Sequence, residues 1–269
     1  MPLQPERGTG RGGKTMRPAI AKSLMLASAL MACLAVPQGH ATPAPAPASG
    51  CVDVALVLAV DASASVSAGE FLLQKRGIAA AFRDPGVQRA IGQAGNVMVS
   101  AVFWGSESQP KAQTGWVLAD GSSGAEAVAR TIEAMPRQIS GDTGLGAALV
   151  TALVRLTAPE LCAARKIINL SGDGEETRQV RGKRRSATAP QARDMAEAHG
   201  VEINALAISN EQPDLDRYFS RNVITGPDAF VMRVSDYAGF SEAIKRKLIR
   251  EISPRVVSGL SVTSSALAP

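Results

Sequence analysis

The sequence predicts an α/β domain with an open, mostly parallel sheet and helices on both faces. Three observations carry that expectation. Residues 52 to 60 are apolar on both alternating faces, with Val54, Leu56 and Leu58 on one and Ala55, Val57 and Ala59 on the other, as in a strand covered from both sides. Strand-like runs then alternate with helical patterns of about 10 to 15 residues. An aspartate, Asp61, ends the first strand, at the carboxyl edge where such sheets bind ligands.

The elements follow in order. Residues 68 to 82 set Phe71, Ile78 and Phe82 with Leu72 and Ala79 along one helical stripe, leaving Gln74, Lys75 and Arg76 outside it. "NVMVSAVFW" (96 to 104) and "GWVLA" (115 to 119) read as strands, and a hairpin between them would set one antiparallel strand at an edge. Residues 122 to 135 and "TGLGAALVTALVRL" (143 to 156) read as helices, "RKIINL" (165 to 170) as a strand, and "APQARDMAEAHG" (189 to 200) as a helix ending in Gly200. "VEINALAI" (201 to 208) and "AFVMRV" (229 to 234) are strands, and the amphipathic "DYAGFSEAIKRKLIREI" (236 to 252) closes the series.

The flanks carry little core. Residues 1 to 41 read as a secretory signal: Arg7, Arg11, Lys14, Arg17 and Lys22 precede the apolar run 24 to 36, and the small-residue pattern Gly39-His40-Ala41 follows. The run is short for a membrane span. Met16 is an alternative start, and Cys33 after Leu30-Met31-Ala32 an imperfect lipoprotein pattern. Residues 42 to 50 form a Pro/Ala linker, 51 to 252 the domain, and 253 to 269 a small, polar, flexible tail. The chain has 29 Lys and Arg against 24 Asp and Glu, a formal net charge of +5. Most of that excess sits in the leader, so the charge does not argue for nucleic acid.

The chemistry gathers at strand ends. Asp61, Ser63 and Ser65 stand at i, i+2 and i+4, so one carboxylate and two hydroxyls can point to one side. Hard oxygens of this kind suit Mg2+ or Mn2+. Thr143 lies in the loop entering a helix, and Asp173 follows a later strand as Asp61 follows the first. The competing local reading is that a serine caps the next helix and Asp61 accepts backbone N–H groups in a turn.

The set Asp61, Ser63, Ser65, Thr143 and Asp173, with Gly174 after the last aspartate, resembles the metal-ion-dependent adhesion site of von Willebrand factor type A domains. "VDVALVLAVDASASV", "INLSGDG" and "EAIKRKLIREI" further resemble an uncharacterised family of secreted bacterial proteins of that kind. The resemblance implies a doubly wound sheet ordered 3-2-1-4-5-6, with the strand at 53–60 beside that at 165–170. It implies that Ser63, Ser65 and Thr143 touch the ion, that Asp61 and Asp173 act directly or through water, and that a partner protein supplies an Asp or Glu. Under that order Cys51 and Cys162, ten and eleven residues before the two aspartates, meet at the opposite end of the sheet. An even pair in an exported chain suggests a disulfide, with two buried thiols as the alternative.

Rival chemistries lack parts. A Ser63 nucleophile needs a base, but His40 leaves with the leader and His199 falls at the wrong end of the sheet, as a helix C-terminal residue. A metal-dependent phosphatase resembling the haloacid dehalogenases is the main alternative, but Ser63 stands where that chemistry needs a second acid. No G-x-G-x-x-G follows the first strand. Arg178, Arg181, Lys183, Arg184 and Arg185 form a basic loop that would steer an acidic partner or simply be solvated. Trp104 and Trp116 read as core or rim. The expectation is an exported, non-enzymatic module that binds a protein through Mg2+ or Mn2+, with no transmembrane span in the mature chain.

Overall fold

The computed structural model describes residues 50–177 and 187–254. The signal segment, most of the linker, the five basic residues Arg178, Arg181, Lys183, Arg184 and Arg185, and the tail from 255 lie outside the described residues.

The elements are β1 (Val52–Asp61), α1 (Ala68–Arg83), α2 (Pro85–Ala94), β2 (Val97–Trp104), β3 (Ala112–Gln113), β4 (Val117–Ala119), α3 (Gly121–Ala134), α4 (Leu145–Leu156), β5 (Ala163–Gly172), α5 (Ala189–Ala198), β6 (Val201–Ile208), α6 (Leu215–Asn222), β7 (Val231–Val234) and α7 (Phe240–Ile252). The strands form one sheet in the order β3-β2-β1-β5-β6-β7, with β4 also on β2. β1, β2, β5, β6 and β7 are parallel, whereas β3 and β4 run antiparallel to β2. In the register of β2, Val102 faces Gln113 and Val99 faces Val117. One extra residue between these pairings makes β3 and β4 a single edge strand broken by a bulge. Counted so, the sheet has the 3-2-1-4-5-6 order that the resemblance implies and the antiparallel edge strand that the hairpin reading of 96–104 and 115–119 predicts.

β1 is the axis, and its alternation feeds two cores. Val54, Leu56, Leu58 and Val60 pack with residues of α1, α2, α3 and α7. Val52, Ala55, Val57 and Ala59 pack on the other face with residues of α4, α5 and α6. Both faces are dry beyond the exposed Asp53, which is why no polar residue interrupts the strand from Val54 to Val60. At its start Cys51 is bridged to Cys162, Cα to Cα 4.6 Å, where the Val52 N–H donates to the Cys162 carbonyl at 3.0 Å.

α1 differs from its sequence reading in phase. Leu72, placed on the buried stripe, is 40% exposed, while Gln74, placed outside it, is fully buried. The helix packs against both α3 and α7, so its buried arc is wider than and rotated from the stripe that Phe71, Ile78 and Phe82 alone define. α2 and α6 were not anticipated. α2 has a legible start, since Asp84 caps it by accepting from the Gly86 N–H at 2.7 Å and Pro85 opens its first turn. α6 is eight residues long and buries only Leu215 and Phe219, too little periodicity to read.

Candidate metal centre

β1 delivers Asp61 to the carboxyl edge of the sheet, and β5 delivers Asp173 beside it. Val60 pairs with Ser171, so the two aspartates leave the sheet within a residue of level. The turn after β1 folds back on Asp61, whose Oδ1 accepts from the Ser63 N–H at 2.8 Å. The Ala64 N–H donates to the Gly141 carbonyl at 2.8 Å, tying this turn to the loop before α4. The cap of α1 is Ser67, which exchanges hydrogen bonds with Glu70. Ser65 is therefore not used by the helix.

The hydroxyls then connect the loops. Ser63 and Ser65 Oγ lie 3.1 Å apart, and Ser65 Oγ donates to Asp173 Oδ1 at 2.7 Å. With its proton committed to Asp173, Ser65 accepts from Ser63, and donation runs Ser63 to Ser65 to Asp173. Thr143 and Thr177 are latched reciprocally: the Thr143 N–H donates to Thr177 Oγ1 and the Thr177 N–H to the Thr143 carbonyl, both at 3.1 Å. Thr143 Oγ1 stands 3.4 Å from where a β-carbon on Gly174 would be, beside Asp173. A β-carbon on Gly172 would stand 3.0 Å from Asp61 Oδ2 and 3.4 Å from the Trp104 ring, so glycine lets the carboxylate and the indole close over the strand end. All five residues are thus brought to one rim.

The charge balance there is incomplete. Asp61 is fully buried, and its Oδ2 has no hydrogen-bond partner among the described residues. Burial, and secondarily the charge of Asp173, push the Asp61 carboxyl up to about 7; the Ser63 hydroxyl and the amides of Ser63 and Asp173 offset only part. A buried, unpaired acceptor costs about 1–3 kcal/mol, and more when charged. Two carboxylates and three hydroxyls are a hard, oxygen-only donor set, and a divalent cation would satisfy Oδ2 and neutralise the pair. Among the described residues no three His, Cys, Asp or Glu side chains cluster, so the hydroxyls have to complete such a site. The residues fit Mg2+ or Mn2+.

Two residues at the site escaped the sequence reading. Gln74 Nε2 donates to the Asp61 carbonyl at 2.9 Å and secures the strand end. Its signal was present, since position 74 lies on the 71/78 helical spacing. Tyr237, between β7 and α7, donates its hydroxyl to Asp173 Oδ2 at 3.0 Å, and nothing in its spacing announces that. Burial, then the charges of Asp173 and Asp61, raise its phenol far above the ordinary tyrosine range. Trp104 is core. Trp116 is half-buried under the Arg155 guanidinium, 5.3 Å from its ring. His199 is exposed at the end of α5 with Nδ1 2.8 Å from the Met195 carbonyl, as a helix C-terminal residue.

Residues 51–256 match a family model described as a protein of unknown function, DUF1194. No curated protein sequence matches the chain. Among solved structures the chain is similar to the pilus adhesin SpaC of Lactobacillus rhamnosus GG, with TM-score 0.55 and 17% identity over 76% of this chain and 31% of that one. It is similar to the PilB minor pilin of Streptococcus sanguinis, with TM-score 0.51 and 14% identity over 80% and 65%. Proximal thread matrix protein 1 of the mussel byssus gives 0.51 and 16% over 75% and 46%. These likenesses are of fold, and the chain spans from under a third to just under two thirds of those chains. What these structures share with the chain is the fold, a mostly parallel α/β sheet with an antiparallel edge.

Proposed function

The chain belongs to the DUF1194 family, and from its own residues we propose that it is an exported binding module. It holds Mg2+ or Mn2+ at the sheet edge and through that ion captures an Asp or Glu of another protein. The observation that carries this reading is the Asp61 carboxylate, buried, with Oδ2 unpartnered and facing the charge of Asp173. A fold has no stabilising reason to keep that arrangement, whereas an ion gives it one.

Asp61, Ser63, Ser65, Thr143 and Asp173 would hold the ion, which supplies a positive centre with coordination positions left for a ligand oxygen. The two carboxylates only balance a divalent charge, and α1 begins at Ala68, three residues past Ser65, with its partly positive end at the site. A carboxylate from outside is the complement. Capture of this kind breaks no bond and needs no base, and among the described residues no histidine stands at the rim. Export is supported by the Cys51–Cys162 disulfide. Among the described residues no helix is long and apolar enough to cross a membrane. The names of two fold neighbours, a pilus adhesin and a minor pilin, agree with a role in attachment.

Thermal melts of the EDTA-stripped protein in Mg2+, in Mn2+ and in EDTA test the reading. Wild type is expected to melt higher with either ion. Asp61→Ala and the Ser63→Ala/Ser65→Ala double variant should unfold cooperatively with no shift. Coincident wild-type melts across millimolar ion would sink it.

A further inference from the structure

Asp173 is held at both oxygens. Oδ1 accepts from Ser65 at 2.7 Å, and Oδ2 accepts from Tyr237 at 3.0 Å. The donors come from distant parts of the chain, Ser65 from the turn after β1 and Tyr237 from the β7–α7 connection. Asp61 has one oxygen held by the Ser63 N–H and the other without a donor. The two carboxylates of the centre are therefore inequivalent: one is pinned at both ends, the other at one.

Tyr237 is itself fixed. It is 5% exposed and belongs to the core shared by α1 and α7. Asp236 Oδ1 accepts from the Ala238 N–H at 2.9 Å and the Gly239 N–H at 3.2 Å, folding the connection into a turn. The Phe240 N–H donates to the Tyr237 carbonyl at 3.3 Å. The Phe240 ring fills the space over Gly77 of α1, where a β-carbon would stand 2.9 Å from it. A buried phenol with two torsions, on a turn braced this way, puts its hydroxyl at one point.

A carboxylate pinned at both oxygens keeps its plane. Each oxygen keeps a lone pair, but the fixed plane decides which one meets an ion, and to turn and bring both oxygens onto it the carboxylate must break a hydrogen bond to a charged group, equivalent to roughly ten- to hundredfold in affinity. Ions differ in what they ask of such a group. Mg2+ takes six ligands at about 2.0–2.1 Å in near-octahedral order, whereas Ca2+ takes six to eight at about 2.3–2.6 Å and readily uses both oxygens of a carboxylate. We infer that Tyr237 is a positioning residue that sets the ion selectivity of the centre. By holding Asp173 Oδ2 it disfavours Ca2+ and leaves the site to Mg2+ and Mn2+. The inference rests on the metal-binding reading above.

The test titrates Mg2+ and Ca2+ separately into the EDTA-stripped full chain, wild type and Tyr237→Phe, by calorimetry, with displacement of the Mn2+ paramagnetic signal as a second readout. Wild type is expected to bind Mg2+ at least about tenfold tighter than Ca2+. The Phe variant should gain about tenfold for Ca2+ while Mg2+ changes less than about threefold, so the ratio collapses. A Tyr237 that only supports the fold would weaken both ions together, and an unchanged ratio overturns the inference while the metal-binding reading stands. If the variant does not fold, wild type decides: a tenfold preference for Mg2+ supports the inference, and parity with Ca2+ overturns it. If wild type binds neither ion, the metal-binding reading fails first and takes this inference with it.

Discussion

Asp61→Asn replaces a buried carboxylate with a neutral group of the same shape, and the structure sets both the sign and the size of the effect. Its carboxyl is held at about 7, against about 3.9 in an unfolded chain. Three units of difference at about 1.4 kcal/mol each make a cost on the order of 4 kcal/mol at high pH. Below about pH 4 folded and unfolded chains both keep the proton and the group costs nothing. Between about 4 and 7 the unfolded chain releases its proton while the fold retains it, so stability falls as pH rises. Above about 7 the full cost is in place, and the Asn variant never incurs it. For a domain of this size each kcal/mol moves Tm by about 2–4 °C. In EDTA near pH 8 the variant should therefore melt roughly 8–16 °C above wild type, with the gap closing toward about pH 4. Saturating Mg2+ should raise wild type and leave the variant where it was. Calorimetric melts at several pH values, with and without Mg2+, measure all of this. A variant that melts at or below wild type in EDTA near pH 8, or a gap independent of pH, refutes the account of Asp61 as a charge awaiting a counter-ion.

Three other outcomes follow from named contacts. Removing the Cys51–Cys162 bridge, which spans 111 residues, should cost about 4–5 kcal/mol in the chain-entropy account. Urea titration should show that loss with the ion-induced shift intact, because the bridge lies at the other end of β1. Lys247 and Glu251 form a fully buried pair at 2.6 Å, and Glu251 also accepts from Asn169. Lys247→Met should cost about 3–5 kcal/mol by stranding the carboxylate, and adding Glu251→Leu should recover most of it; an additive double-mutant cycle contradicts that coupling. Gln74→Leu should cost about 1–3 kcal/mol by leaving the buried Asp61 carbonyl unpaired. It should also shrink the Mg2+ shift, which a variant that destabilises without moving the site would not do.

Read by itself, the sequence determined the class of the fold and pointed to Asp61, Ser63 and Ser65 by local rules: a strand apolar on both faces has to be covered twice, and hydroxyls two apart behind Asp61 share a side. Thr143 and Asp173 joined them through their places at a helix start and a strand end and through the family resemblance. The cysteine pair was legible for a related reason, since parallel neighbouring strands carry any offset from one end of the sheet to the other. The tertiary structure decided what depends on a partner's position. α1 buries Gln74 and exposes Leu72 because two helices flank it and a strand-end carbonyl needs a donor, a demand that hydrophobic periodicity does not register. The split edge strand arises from one extra residue in the pairing with β2, visible only once the register exists. Tyr237, after β7, reaches Asp173, after β5, across the end of β6, and no spacing along the chain encodes that meeting. Local patterns name the oxygen-bearing groups at the rim, while the surrounding packing decides how far each is free to move, because the freedom of a buried carboxylate is set by the donors placed against it.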